Sequence, residues 1–152
     1  MPPALRAISI AGFVVGALDI TSALLMARLR GSTATRLLHF VASGLLGQRA
    51  FDGGATTAAL GLALHFLIAF GVVTIFYLAG RKLSIVRARP IASGLAYGLI
   101  VFAVMNLVVL PLSAAKPLHA LVPDLIQITI HMFVIGLPTS LLIRRFSGAS
   151  AS

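Results

Sequence analysis

The sequence predicts an all-α fold: a polytopic membrane four-helix bundle with a short interfacial or re-entrant helix between its first and second spans. Three observations carry that prediction. Of 152 residues, 59% are hydrophobic and only 10% charged, and the mean hydropathy is +1.07, whereas soluble domains carry about 25% charged residues. Four apolar stretches, residues 7–27, 55–79, 91–115 and 123–143, each reach the roughly 20 residues needed to cross a hydrocarbon core about 30 Å thick. Each stretch also holds one strongly polar residue near its middle: Asp19, His65, Asn106 and His131.

Taken in order, the first stretch begins after Arg6 and has the general look of a signal sequence. It contains Asp19 and ends in Met26-Ala27-Arg28 without a small-residue cleavage site, so a retained first span is expected. Residues 33–47 read as a helix with Leu37, Leu38, Val41 and Leu45 on one side. It is too short to span and is expected at the interface or re-entrant, with Arg36 and Arg49 toward headgroups. Gly53-Gly54 breaks the chain before the second span, and a short basic loop ending in Pro90 precedes the third. Pro123 suits the first turn of the fourth helix, where a missing N–H costs nothing. The small, polar tail 147–152 is expected to be disordered. One membrane domain accounts for the whole chain.

The formal charge is +9 and the pI near 11.8, but the basic residues sit between the apolar runs, where topology signals and lipid contacts belong. No basic stripe with interleaved aromatics offers a nucleic-acid surface, so the expected partners are the lipid bilayer and a homo-oligomer, with no nucleic acid. Arg6, Arg81, Lys82, Arg87, Arg89, Arg144 and Arg145 would share one side, against Arg28, Arg30, Arg36, Arg49 and Lys116 on the other. The larger group favours cytoplasmic termini in a bacterial inner membrane. Cysteine is absent, which excludes disulfides and thiolate metal sites.

Alternating spans put the four central residues at nearly one depth, roughly 18, 21, 22 and 18 Å from one side at about 1.5 Å per residue. A buried Asp alone costs about 2.5–3.5 kcal/mol on insertion scales, so the four are expected to face one another inside the bundle. Helical steps place Ser9, Gly12, Gly16, Asp19 and Ala23 on one stripe, Gly61 with His65 on another, and Gly94, Gly98, Phe102 and Asn106 on a third. The glycines are expected to let neighbouring backbones come close. On the fourth span Asp124, Gln127 and His131 form a polar row that would open a wet path to the layer. Pro138 and Pro111 each remove an N–H and free a carbonyl. Spans one and three share Gly-xxx-Gly followed by a polar residue, and spans two and four share a central His and a terminal basic pair, a faint internal duplication.

Three uses of the layer are open. It is packing glue that fixes which helix meets which, since such bonds contribute only about 0.6 kcal/mol each. It is a proton or ion path, since burial and neighbours move the proton affinities of an acid and two imidazoles. Or His65 and His131 ligate a haem beside the glycines, or join Asp19 around a divalent metal, although no haem motif is present. No cofactor, metal or catalytic residue is expected. His119 and Asp124 match the spacing of a glycerolipid acyltransferase motif, but they straddle Pro123 without a catalytic domain, so no enzyme is expected. His39 is expected at headgroup level.

Leu64-His65-Phe66, Tyr77, Gly94 with Tyr97-Gly98, Met105-Asn106, Pro111-Leu112-Ser113, the segment 41–47 and Asp19-Ile20 together resemble a group of uncharacterised bacterial inner-membrane proteins of about this length. More distantly, spans two to four are similar to the YagU family, linked in name to acid resistance. That family has a His opening the corresponding span, a Pro-Leu ending the next and a His in the last. This chain lacks the long extramembrane insertion and the acidic residue close before the last His that mark YagU. The resemblance implies a location more than an activity.

Overall fold

The computed structural model describes residues 1–115 and 121–147, without the side chains of 121–124. Lys116, His119 and the tail beyond Ser147 lie outside the described residues, as does the side chain of Asp124. Among the described residues all regular structure is helical, in six helices: α1 (Pro3–Leu29), α2 (Ala34–Leu46), α3 (Gly54–Lys82), α4 (Ser84–Ala88), α5 (Pro90–Leu112) and α6 (121–146). The chain is all-α with a four-helix bundle arrangement, as the sequence predicts.

Local chemistry sets the helix ends. Pro3 opens α1 without wasting a donor. At the other end Gly31, at φ 73°, lets the Gly31 and Ser32 N–H groups turn back to the Arg28 and Ala27 carbonyls at 3.0 and 2.8 Å. Thr33 Oγ1 accepts from the Arg36 N–H and starts α2; Gly47 ends it. A tight turn, Gly47–Asp52, leads into α3. α5 leaves the helix at Ser113, earlier than the expected 115, because the Ala114 N–H is drawn to the Gly44 carbonyl of α2.

Around the bundle the order is α3, α1, α6, α5, with sequence neighbours in space running antiparallel. α1 packs on α3 and α6, and α5 packs on α6. On the remaining side α3 meets α5 through large side chains: the Tyr97 ring lies 4.9 Å from that of Phe76, and its O–H donates to the Val72 carbonyl at 2.6 Å. α2 crosses α3, touches α1 and reaches the end of α5. Its buried side is His39, Ala42 and Ser43, whereas Leu45, expected with the apolar set, is 66% exposed.

Both α5 and α6 contain a stretch of wider turns, Met105–Val109 and His131–Gly136. The cause is the same in each. Pro111 and Pro138 have no N–H to donate, and their rings crowd the carbonyl four residues back. The residue just before each, Leu110 or Leu137, therefore donates five residues back, to Met105 and Met132.

Four helices are long and apolar enough to cross a bilayer, and they turn large apolar side chains such as Phe13, Leu67, Leu107 and Phe133 outward. That is the surface a lipid solvent takes. The chain is a multi-pass membrane protein.

Candidate functional site

Every spanning helix, together with α2, contributes to one central cavity of about 120 Å³. Its polar lining is Asp19 of α1, His65 of α3 and His131 of α6; the remainder is apolar, including Val15, Val41, Val72, Val101, Met105 and Ile135. The volume suffices for several water molecules. It falls well below the roughly 300–1,000 Å³ of ordinary small-molecule pockets.

Asp19 and His65 form the closest pair, with Oδ2 4.0 Å from Nδ1. The His65 Nε2 lies 2.9 Å from the Gly16 carbonyl of α1. A carbonyl only accepts, so Nε2 carries the hydrogen and Nδ1 is the nitrogen left to face the carboxylate. The same logic orients His131: its Nδ1 lies 2.8 Å from the Gln127 carbonyl and therefore donates, leaving Nε2 free. Its ring stands edge-on to Phe102 at 5.5 Å. Each imidazole thus has one nitrogen fixed by backbone and one uncommitted.

Asn106 behaves differently. It is absent from the cavity lining, and its Nδ2 donates to the Phe102 carbonyl of its own helix at 2.9 Å. Asn106 follows Met105 by one residue, and about 100° per residue turns it away from the face that Gly94, Val101 and Met105 share; Met105 lines the cavity in its place. Gln127 has an exposed side chain and serves the site through its carbonyl.

The glycines divide into two kinds. A Cβ on Gly94 or Gly98 would strike the α6 backbone at Gly136–Leu137 or His131–Met132, and one on Gly61 would strike the Leu38 carbonyl of α2. These are close backbone approaches. Gly12 and Gly16 instead lie under the rings of Phe70 and Phe66, so on α1 the expectation of a close backbone is replaced by room for aromatic rings. The space imagined for a haem beside these glycines is filled. Among the described residues no three His, Asp or Glu side chains are grouped closely enough to share a metal ion.

His39 is 7% exposed. Its Nε2 meets the Gly54 carbonyl at 2.7 Å and its ring the edge of Phe51, pinning α2 to the start of α3. Two residues are named from sequence without a part in the site: Val41, which brings α2 onto the cavity, and Tyr97, whose O–H ties α5 to α3 just outside it. The second had a signal, because a tyrosine within an apolar span needs a partner for its O–H.

No known family, curated protein or solved structure matches this chain.

Proposed function

We propose that this chain is a small proton- or ion-responsive bundle of a bacterial inner membrane, acting through Asp19, His65 and His131. The supporting observation is their convergence on one cavity large enough for several waters, with a single nitrogen on each imidazole not bonded to backbone. Intramembrane ionisable groups are functional candidates because their placement is otherwise costly. No enzymatic role is part of this reading, and a homo-oligomer remains its expected partner.

The orientation belongs to the same proposal. Arg6, Arg81, Lys82, Arg87, Arg89, Arg144 and Arg145 are all exposed at one end of the bundle, which supports cytoplasmic termini. Kinship with the uncharacterised four-span group, and distantly with YagU, is likewise proposed from the sequence motifs.

The alternative is a structural or accessory subunit. Its support is the number of polar side chains bonded within their own helices, Asn106 and His131 among them, while His65 ties α3 to α1. The test is Asp19→Asn in proteoliposomes carrying a pH dye. Wild-type flux that falls at least about tenfold in the variant, the equivalent of about 1.4 kcal/mol, supports the proposal. Equal flux, or none in the wild type, leaves the structural reading.

A further inference from the structure

The two ends of the cavity are built differently. Toward the α2 side its cover includes Val41, carried by a short helix lying across the bundle. Toward the basic end, one helical turn beyond the lining residues Val15, Val72, Val101 and Ile135, stand Ala11, Phe76, Tyr97 and Thr139. Ala11 and Thr139 are fully buried and Phe76 nearly so. Thr139 spends its hydroxyl on the Ile135 carbonyl of its own helix. Of this floor only Tyr97 bonds to another helix. Beyond it Ile8, Val86, Leu142 and Phe146 pack around buried Ala7 and Ile143 as an apolar plug, roughly 10 Å deep from Tyr97 to Pro90 at about 1.5 Å per residue.

We propose that Tyr97 is the positioning residue that seals the cavity from the basic end. The seal is needed where it stands. α1 and α6 pack closely on their neighbours, but α3 and α5 face each other through side chains, so this is the side of the bundle with least backbone contact. The Tyr97 ring fills that gap against Phe76, and its O–H bond to the Val72 carbonyl ties α5 to α3 at the cavity floor. Even a half-buried hydroxyl that loses its acceptor is penalised, so the bond favours the closed spacing of the two helices. Water and small solutes then reach Asp19, His65 and His131 from the α2 side only. Sliding or tilting of α5 that breaks this one bond opens the other side.

The absence of cysteine from the sequence makes a direct test practical. Val101→Cys places one thiol on the cavity wall, and Ile135→Cys provides a second reporter on another helix. The full chain is reconstituted in vesicles, and a small charged methanethiosulfonate is supplied to one face at a time. In the parent background both thiols should react slowly from the basic end. Tyr97→Phe keeps the ring and deletes the donor, and should raise the rate from that end roughly three- to tenfold, the range set by one ordinary hydrogen bond. The rate from the α2 side should not change. Equal rates with Tyr and Phe would overturn the proposal, as would a rise from both faces alike or rapid labelling of the parent from the basic end. Labelling needs no transport, so absence of flux in the Asp19 experiment would end the proton reading without touching this one. An unmoved labelling rate would end this one without touching Asp19.

Discussion

The two helical hairpins, α1 with α3 and α5 with α6, carry the same short vocabulary and use it in opposite ways. Each pairs a Gly-xxx-Gly helix with a helix bearing a central His. In the α5–α6 pair, Gly94 and Gly98 let the backbone of α6 lie directly on α5, and Gly136 returns the contact. His131 then bonds within its own helix. In the α1–α3 pair, Gly12 and Gly16 receive Phe70 and Phe66, and His65 crosses to the Gly16 carbonyl. One pair gains dispersion from backbone contact, the other from rings seated on bare helix, and only the second puts its His beside the acid. A repeated motif is therefore not a repeated interface. What the glycine meets is decided by the partner helix: α3 offers aromatic residues at 66 and 70, while α6 offers Gly136 and the opened turn at 131–136.

The comparison is most exposed to failure at Gly98. An added methyl there overlaps the His131 carbonyl and the Met132 Cα, neither of which can rotate away. Gly98→Ala should destabilise the protein by at least about 1–3 kcal/mol, the ordinary cost of overpacking. It should be seen as a lowered thermal unfolding midpoint in detergent, with His131 displaced. An added methyl on Gly136 overlaps the Gly94 carbonyl and the Gly98 N and Cα, so both substitutions force the same two backbones apart, and Gly136→Ala should not add fully to Gly98→Ala, leaving a coupling of about 0.5–3 kcal/mol in a double-mutant cycle. Additive costs would mean the two glycines do not share one contact.

Gly16→Ala should cost less, about 1 kcal/mol, because the nearest atoms belong to the Phe66 ring at 2.8 Å. The Ala69 Cβ at 3.2 Å is the less yielding neighbour. Phe66→Leu in the same chain should recover part of the loss, since the smaller side chain vacates the seat. Failure to recover would show that Ala69 and the α3 backbone, not the ring, set the spacing.

This difference between hairpins also marks how far the sequence can be read. Lengths and hydropathy alone specify the four spans, and one costly polar residue per span points to a layer at one depth. Asp19, His65 and His131 do line one cavity. The spacing rule says which residues share a stripe on one helix, but nothing in it sets how that helix is rotated against its neighbours. Asn106 shows a further loss: at about 100° per residue each step of four drifts by about 40°, so by Asn106 the stripe begun at Gly94 has turned away from the face that Val101 and Met105 give to the cavity. The crossing of α2 over Gly61 and the Tyr97 bond to Val72 depend on pairs distant in sequence, which no local pattern records.

The smallest effect is expected at Gly12. The three heavy atoms nearest an added methyl all belong to the Phe70 ring, and that residue is only half-buried, with room to swing toward lipid. Replacing a helical glycine by alanine recovers roughly 0.5–1 kcal/mol of backbone entropy and propensity, and displacing a partly exposed ring costs a similar amount. Gly12→Ala should therefore leave the unfolding midpoint close to that of the parent. Phe70→Leu, which frees the seat in advance, should convert the same substitution into a net gain. If Gly12→Ala costs as much as Gly98→Ala, the rings of α3 are as unyielding as the backbone of α6. The two hairpins would then be one kind of interface after all.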